Sequence, residues 1–267
     1  MKKIEDDAGG KPVLLVEGNT DIRILSYFLE QVSPGWQTGK AILCAGKKSQ
    51  VIDAVSNYHP EWVGIVDKDE WSPDMINDKL RNLSRVKTLP RFCLENYFCV
   101  PEEIWPALTP ASRQSPNDEF GQFQQPVLND LPDWVAHGAM WRVIRKRRKV
   151  LLRESGFPAK LDREPVTDIA EIREILRDWH EQLDPDRIIR EYRLELTETE
   201  ELSANEQLKF YIHGKKFFKS VIVRLMNRFF GQASHDKWAD RLTHSTYGIK
   251  TPSELELFFT EILGLFR

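Results

Sequence analysis

Through the first hundred residues, short apolar runs bounded by turn residues alternate with segments whose apolar positions recur at helical spacing. Residues 12–16 form a compact apolar run that Gly18-Asn19-Thr20 breaks. Thr20 is then placed to cap a helix carrying Ile22, Leu25, Phe28 and Leu29 on one stripe. A second strand fits residues 41–44, followed by Gly46 and a helix through Val51, Ile52 and Val55. The third strand, 62–66, runs directly onto Asp67-Lys68-Asp69. A helix after Pro73 and a short strand over 86–89 complete the series. This alternation predicts an α/β fold with a mostly parallel sheet covered on both faces.

Beyond about Pro101 the pattern changes. Residues 109–132 are rich in Pro, Gln, Asn and Ser, and predict a long loop or irregular connection. The remainder is largely helical, with periodicity over 133–154, 168–183, 205–230 and 252–265, and no internal repeat. The expected organisation is a catalytic core over 1–105. A mainly helical portion over 106–267 would complete the site and bind substrate or partner.

Composition narrows the class only modestly. A 41% apolar and 30% charged chain of 267 residues has the balance of a globular protein. No apolar run approaches the roughly 20 residues that cross a bilayer, and the polar N-terminus carries no signal-peptide pattern, so a cytoplasmic protein without a membrane partner is expected. Cys44, Cys93 and Cys99 form no CxxC pair and sit among apolar neighbours. They read as buried thiols of a reducing compartment, with neither zinc site nor disulfide framework. The net charge of -3 is unevenly spread: seven basic residues and no acid lie between Arg142 and Arg153, whereas 191–206 is strongly acidic. A nucleic-acid partner therefore has to be argued from local patches. The basic run has two readings, phosphate contact or the solvated face of a helix that buries Met140, Val143, Ile144 and Leu151. Most of the eight tryptophans are expected in the core; Trp71 is read either as buried or as a stacking surface for a base.

Candidate chemistry gathers at the predicted strand ends, where open parallel sheets place functional groups. Glu17 closes the first strand and Asp21 follows four residues later; Asp67 and Asp69 close the third. Carboxylates gathered at one edge repel one another, and a bound hard cation resolves that repulsion. Magnesium suits such oxygens and supports phosphodiester cleavage. Taken singly these residues have blander readings, Asp21 as a helix cap and the D-x-D as chance. Two motifs that each close a strand are more specific. Ala45-Gly46-Lys47-Lys48-Ser49 lacks the earlier glycine of a GxxxxGK[ST] loop, so ATP hydrolysis by this chain is not expected. Gly46 instead reads as a turn, and Lys47 or Lys48 as a contact to a nucleic-acid backbone. The six histidines show no metal-ligand spacing, although His213 stands where it could assist proton transfer.

Val16-Glu17-Gly18-Asn19-Thr20-Asp21 followed by Ile24-Leu25 resembles the first motif of Toprim domains, and Asp67-Lys68-Asp69 resembles their D-x-D motif. The resemblance covers roughly residues 11–100 and implies a Rossmann-like sheet with acid-bound Mg2+, or Mn2+ as an alternative, as one or two ions. Leu94-Glu95-Asn96-Tyr97-Phe98 resembles the ENY segment of Toprim nucleases of the OLD (overcoming-lysogenization-defect) type, which implies Glu95 as a ligand of a second ion. His213-Gly214-Lys215-Lys216, opening an apolar helix, resembles their GK pair and implies that Lys215 or Lys216 steadies the charged transition state. The combination is most similar to AriB-type Toprim effectors of two-component anti-phage systems such as PARIS. That resemblance implies a toxic, abortive-infection endoribonuclease directed at host RNA such as tRNA, paired with a separate ABC-type ATPase. Left open are a DNA endonuclease of OLD type, a non-catalytic Toprim subunit docking on such an ATPase, and a homodimer. Trp71 stands where some Toprim families carry a third acid, which leaves the number of ions open. A topoisomerase or primase role is weaker, because neither a tyrosine-bearing DNA gate nor template-binding modules are apparent.

Overall fold

The computed structural model of the chain describes residues 2–108, 118–153, 168–244 and 248–266. Four parallel strands form the sheet: β1 (Val13–Val16), β2 (Ala41–Cys44), β3 (Val63–Val66) and β4 (Val86–Thr88), in the order β2-β1-β3-β4. Between them run α1 (Lys2–Ala8, before β1), α2 (Asn19–Val32), α3 (Lys48–Asp53, continued by a π-turn to Tyr58) and α4 (Pro73–Leu80). Leu14 lies opposite Val63 across β1 and β3, and Val13 to Val16 pair with Ala41 to Cys44. Every residue of β1 and β3 is buried, as a parallel sheet covered on both faces requires. On one face Val13, Leu15, Val66 and Val86 pack with Val51, Ala54 and Val55 of the α3 segment. Gly64 permits this approach, since a Cβ there would stand 2.7 Å from Val51 Cγ1. Each fully buried aliphatic side chain contributes roughly 1.5–3 kcal/mol, so this layer holds the strand ends in place.

The chain visits β2 on one side of β1 and then β3 on the other. The direction of winding therefore reverses between β1 and β3, and a crevice at the carboxyl ends of these strands is the ligand position of open α/β sheets. The α/β expectation holds, with strand limits within a residue of those predicted.

The helical part departs from expectation in three ways. First, residues 118–132 are helical: α5 (Pro101–Ile104) and a short 3-10 turn come before α6, a single helix Asp118–Arg153. Its signal is a four-residue repeat of buried Phe123, Val127, Leu131, Val135, Ala139 and Val143, which the interior prolines Pro126 and Pro132 disguise. Residues 109–117 of the predicted loop lie outside the described residues. Second, four of the described helices had no predicted counterpart: α1, α5, α8 (Pro185–Glu200, after α7, Ile169–Gln182) and α12 (His235–His244). Third, the predicted helix 205–230 is broken. It comprises α9 (Ala204–Glu206) running into a π-turn to Tyr211, then α10 (Gly214–Phe217), a second π-turn and α11 (Val223–Phe230). α13 (Ser253–Gly264) ends the chain's helices.

The compact units likewise do not divide at residue 105. One comprises 1–130 with 208–267, so the C-terminal helices belong with the sheet; the other is 131–207. In the first, α2 packs against α12 and α13, and Tyr27 Oη and Gln31 Nε2 donate to the Ile249 carbonyl. The second has a sparse core. There α7 buries no residue and α8 only Thr199. Arg147, from the basic run, is 4% exposed; it pairs with Glu191 and donates to Gln182 Oε1 at 2.8 Å, so it is a packing residue and no phosphate contact. Among the tryptophans only Trp36, Trp62 and Trp238 are buried, fewer than expected. Cys93 and Cys99 are buried free thiols and Cys44 is half-buried. Among the described residues no helix is long and apolar enough to cross a membrane.

Candidate active site

The predicted acids arrive at the crevice from separate segments. Glu17 follows β1 and is half-buried. Its Oε1 accepts the backbone N–H of Asp67, the residue after β3, at 2.9 Å. One carboxylate thus ties together the ends of the neighbouring strands β1 and β3. Asp21 sits in the first turn of α2, where its Oδ2 accepts the Gly18 N–H at 2.8 Å. The cap of α2 is therefore supplied by Asp21 onto Gly18, and Thr20 lies inside the helix. The capping and site roles of Asp21 are compatible, because the capped carboxylate still feels Glu95 and Glu17.

Asp69 adopts φ 50°, the one non-glycine among the described residues in the left-handed region. Its N–H donates to Phe92 O at 2.6 Å, which holds this unfavourable turn in place. Asp67 Oδ1 accepts the Leu94 N–H at 3.1 Å, so the D-x-D loop docks onto the turn Leu94–Phe98 that carries Glu95.

That turn is held in its own right by Asn96, which is fully buried. Asn96 Oδ1 accepts the Cys93 N–H at 3.1 Å, and its Nδ2 donates to Leu208 O at 2.7 Å and Ile212 O at 3.3 Å. Directly against it lies Gly214, where a Cβ would come within 2.1 Å of Asn96 Oδ1. Only glycine fits, and the contact sets the 208–214 segment, with Lys215 next in the chain, against the turn that carries Glu95. Arg91 supports the same turn from below. Completely buried, it makes a bidentate pair with Glu103 at 2.6 and 2.8 Å, pairs with Glu254 of α13 at 2.6 Å, and donates to Asn96 O at 3.1 Å.

The electrostatics follow from this crowding. Burial pushes the Asp67 carboxyl well above its ordinary range, and Glu95, Asp69, Asp21 and Glu17 push it further. Asp21 is raised to about 6, chiefly by burial, with Glu95 and Glu17 adding while the Gly18 N–H and Lys215 oppose. Glu17 is raised by burial and by Asp69, against the Asp67 N–H and Lys48. Five carboxylates from four segments thus feel one another. Among the described residues no three His, Cys, Asp or Glu side chains already form a tight cage. The donor set nonetheless fits a hard divalent ion: it is all oxygen, it is partly withdrawn from water, and its mutual repulsion is relieved by positive charge.

Part of that charge comes from Lys48, at the start of α3, whose Nζ is 2.6 Å from Asp69 Oδ2. Of the two lysines read as backbone contacts, Lys47 is exposed and Lys48 turns toward the acids. Lys215 and Lys216 are both exposed. Lys215 acts electrostatically on Asp21, and Lys216 on His213. Burial lowers the His213 pKa, Lys216 adding to the effect, and its Nδ1 finds no hydrogen-bond partner among the described residues.

Sequence reasoning missed the inward turn of Lys48 and the bracing by Arg91 and Asn96. The signal for the last two was present: two polar residues inside the apolar run 89–100, where burial obliges each to be fully hydrogen-bonded. No protein-family model matches the chain, and no curated protein matches it either.

Proposed function

We propose that this chain is a divalent-metal-dependent Toprim-type nuclease of the OLD-like kind, acting as the toxic effector of an anti-phage defence system. The observation that carries the reading is the convergence of Glu17, Asp21, Asp67, Asp69 and Glu95 at the switch point of a parallel sheet. A structural role would not require five mutually repelling, partly buried carboxylates, and such a cluster costs stability unless it serves a ligand. Glu17, Asp67 and Asp69, with help from Asp21, would hold one Mg2+ or Mn2+ ion, and Glu95 would help hold a second. A bound divalent ion supplies Lewis acidity toward phosphate and water. Lys215 neutralises charge that builds on the phosphate oxygens as the bond breaks, and the Asp67–Glu17 tie keeps both strand ends from spreading. Lys216, one residue on, is kept as the alternative cation.

RNA, tRNA in particular, is the preferred substrate in this proposal, and a separate ABC-type ATPase the preferred partner. Support for a protein partner comes from the 131–207 unit, where Ile169, Leu176, Leu183, Ile189 and Leu194 are exposed. The test is expression of the wild-type chain and Glu17→Ala, with tRNA and chromosomal DNA examined on gels, followed by cleavage assays with purified protein in Mg2+ and in EDTA. Cut RNA with wild type in Mg2+ alone supports the proposal. Cut DNA with intact RNA moves the reading to an OLD-type DNA endonuclease. Intact nucleic acid throughout, with retained binding to an ATPase, leaves the non-catalytic subunit.

A further inference from the structure

Trp71 lies two residues beyond Asp69, before α4, and is only half-buried. The helix that follows it, α4, buries none of its residues, so it gives Trp71 no buried face to anchor on. Two lysines gather at its ring instead. Lys48 Nζ stands 4.4 Å from the ring centroid and Lys79 Nζ, from the last turn of α4, stands 5.2 Å from it. Both lie inside cation–π range. The same Lys48 Nζ touches Asp69 Oδ2 at 2.6 Å, so one ammonium spans the gap between the catalytic acids and the indole. The turn carrying Asp69 at φ 50°, closed by the Trp71 N–H donating to Lys68 O at 3.2 Å, brings Trp71 directly after the acids.

We infer that Trp71, with Lys48 and Lys79, forms a subsite for one unpaired base of the strand whose phosphate is presented to the acids. The inference rests on the nuclease reading and names its substrate class: single-stranded nucleic acid, or the looped region of a folded one. Three features fit together. An aromatic face within one nucleotide's reach of a phosphate site is what an unstacked base binds, and every base has a π-face, so the preference is for strandedness and not for sequence. The two lysines have flexible stems, so an incoming strand can draw their ammonium groups from the ring to its phosphates while a base takes the face they leave. In a duplex the base faces are already stacked on their neighbours and cannot reach the indole.

The test is equilibrium binding, read by anisotropy of a labelled single-stranded RNA, a single-stranded DNA and the matching duplexes, in Ca2+ to hold the strand without cutting. Wild type, Trp71→Ala, Trp71→Phe and Lys79→Met are compared, with a thermal melt of each variant. The expected result is tighter single-strand than duplex binding by wild type. Trp71→Ala weakens single-strand binding about 5- to 150-fold, as loss of one stacked base does; Trp71→Phe restores most of it, and Lys79→Met lowers the salt dependence. Single-strand affinity unchanged in Trp71→Ala overturns the subsite while leaving the nuclease reading intact. An equal loss on single strands and duplexes with Trp71→Phe no better than Trp71→Ala overturns it too, since that marks a general effect. Absence of any nucleic-acid binding by a folded wild-type chain overturns the nuclease reading and the subsite together.

Discussion

The carboxylate of Glu17 accepts the backbone N–H of Asp67 at 2.9 Å, so the residues that follow the two central strands are bonded to each other. The side chain that we propose as a cation ligand is thereby also a structural tie. Separating the two roles requires a substitution that keeps the acceptor and removes the charge. Glu17→Gln retains a carbonyl oxygen for the Asp67 N–H. We expect its melting temperature to stay near that of wild type while Mg2+- or Mn2+-dependent cleavage falls more than about 100-fold. Calorimetric titration with Mn2+ alongside the cleavage assay checks both parts, and a normal metal isotherm in Glu17→Gln would count against Glu17 as a ligand.

The raised carboxylates make a signed statement about pH. A group whose pKa is higher folded than unfolded binds more protons in the native state, so stability falls as pH rises between the two values. For Asp21 the window runs from its ordinary 3.8 to about 6, a shift equivalent to about 3 kcal/mol. Without divalent ions, the protein should gain stability on acidification from about pH 6 toward 4, opposite to ordinary acid denaturation. Asp21→Asn, which keeps an acceptor for Gly18, should flatten that slope, and saturating Mg2+ should do so in wild type. Urea melts across this range would contradict the assignment if the two proteins ran parallel.

Asn96 and Gly214 form the second clasp of the site. Removing the Asn96 amide leaves the Leu208 and Ile212 carbonyls and the Cys93 N–H without it, at about 1–3 kcal/mol for each group stranded without water. Gly214→Ala forces a methyl into Asn96 and should cost roughly 1–3 kcal/mol or more. Both variants should lose activity beyond their loss of stability, because they move Glu95 relative to Lys215. Denaturant unfolding combined with cleavage at a temperature where each variant is folded separates these effects.

Arg91 is buried against two carboxylates, so breaking the cluster strands charge. Arg91→Met should destabilise by about 3–5 kcal/mol. Arg91→Lys should recover little, since a single ammonium cannot reproduce the forked contact with Glu103 and the second with Glu254. Retention of full stability by Arg91→Lys in guanidinium titrations would show that charge alone is what the site needs.

The strands were legible because a parallel strand buried on both faces must be a short apolar run, and Glu17 and Asp67 stood out as the charged residues that break two of those runs. That local rule places strands over 12–16 and 62–66, within a residue of the observed Val13–Val16 and Val63–Val66, with Glu17 and Asp67 directly after them. The helices were less legible. The buried repeat from Phe123 to Val143 is regular, but Pro126 and Pro132 within it carry a stronger local signal for a loop. Around α8, acidic composition hid a helix that buries almost nothing, and where little is buried there is little periodicity to detect.

By itself, the sequence determined the sheet's four short strands and that Glu17 and Asp67 follow two of them, since each depends on neighbours within a few positions. Tertiary structure alone decided that β1 lies between β2 and β3, which brings Glu17 to Asp67 across 50 residues. It decided that Asn96 meets Leu208 across 112 residues, that Lys48 turns inward to Asp69, and that Arg91 is shared by Glu103 and Glu254. These pairings satisfy buried polar groups. Such a group must find its partner wherever packing brings one, and packing belongs to the whole chain.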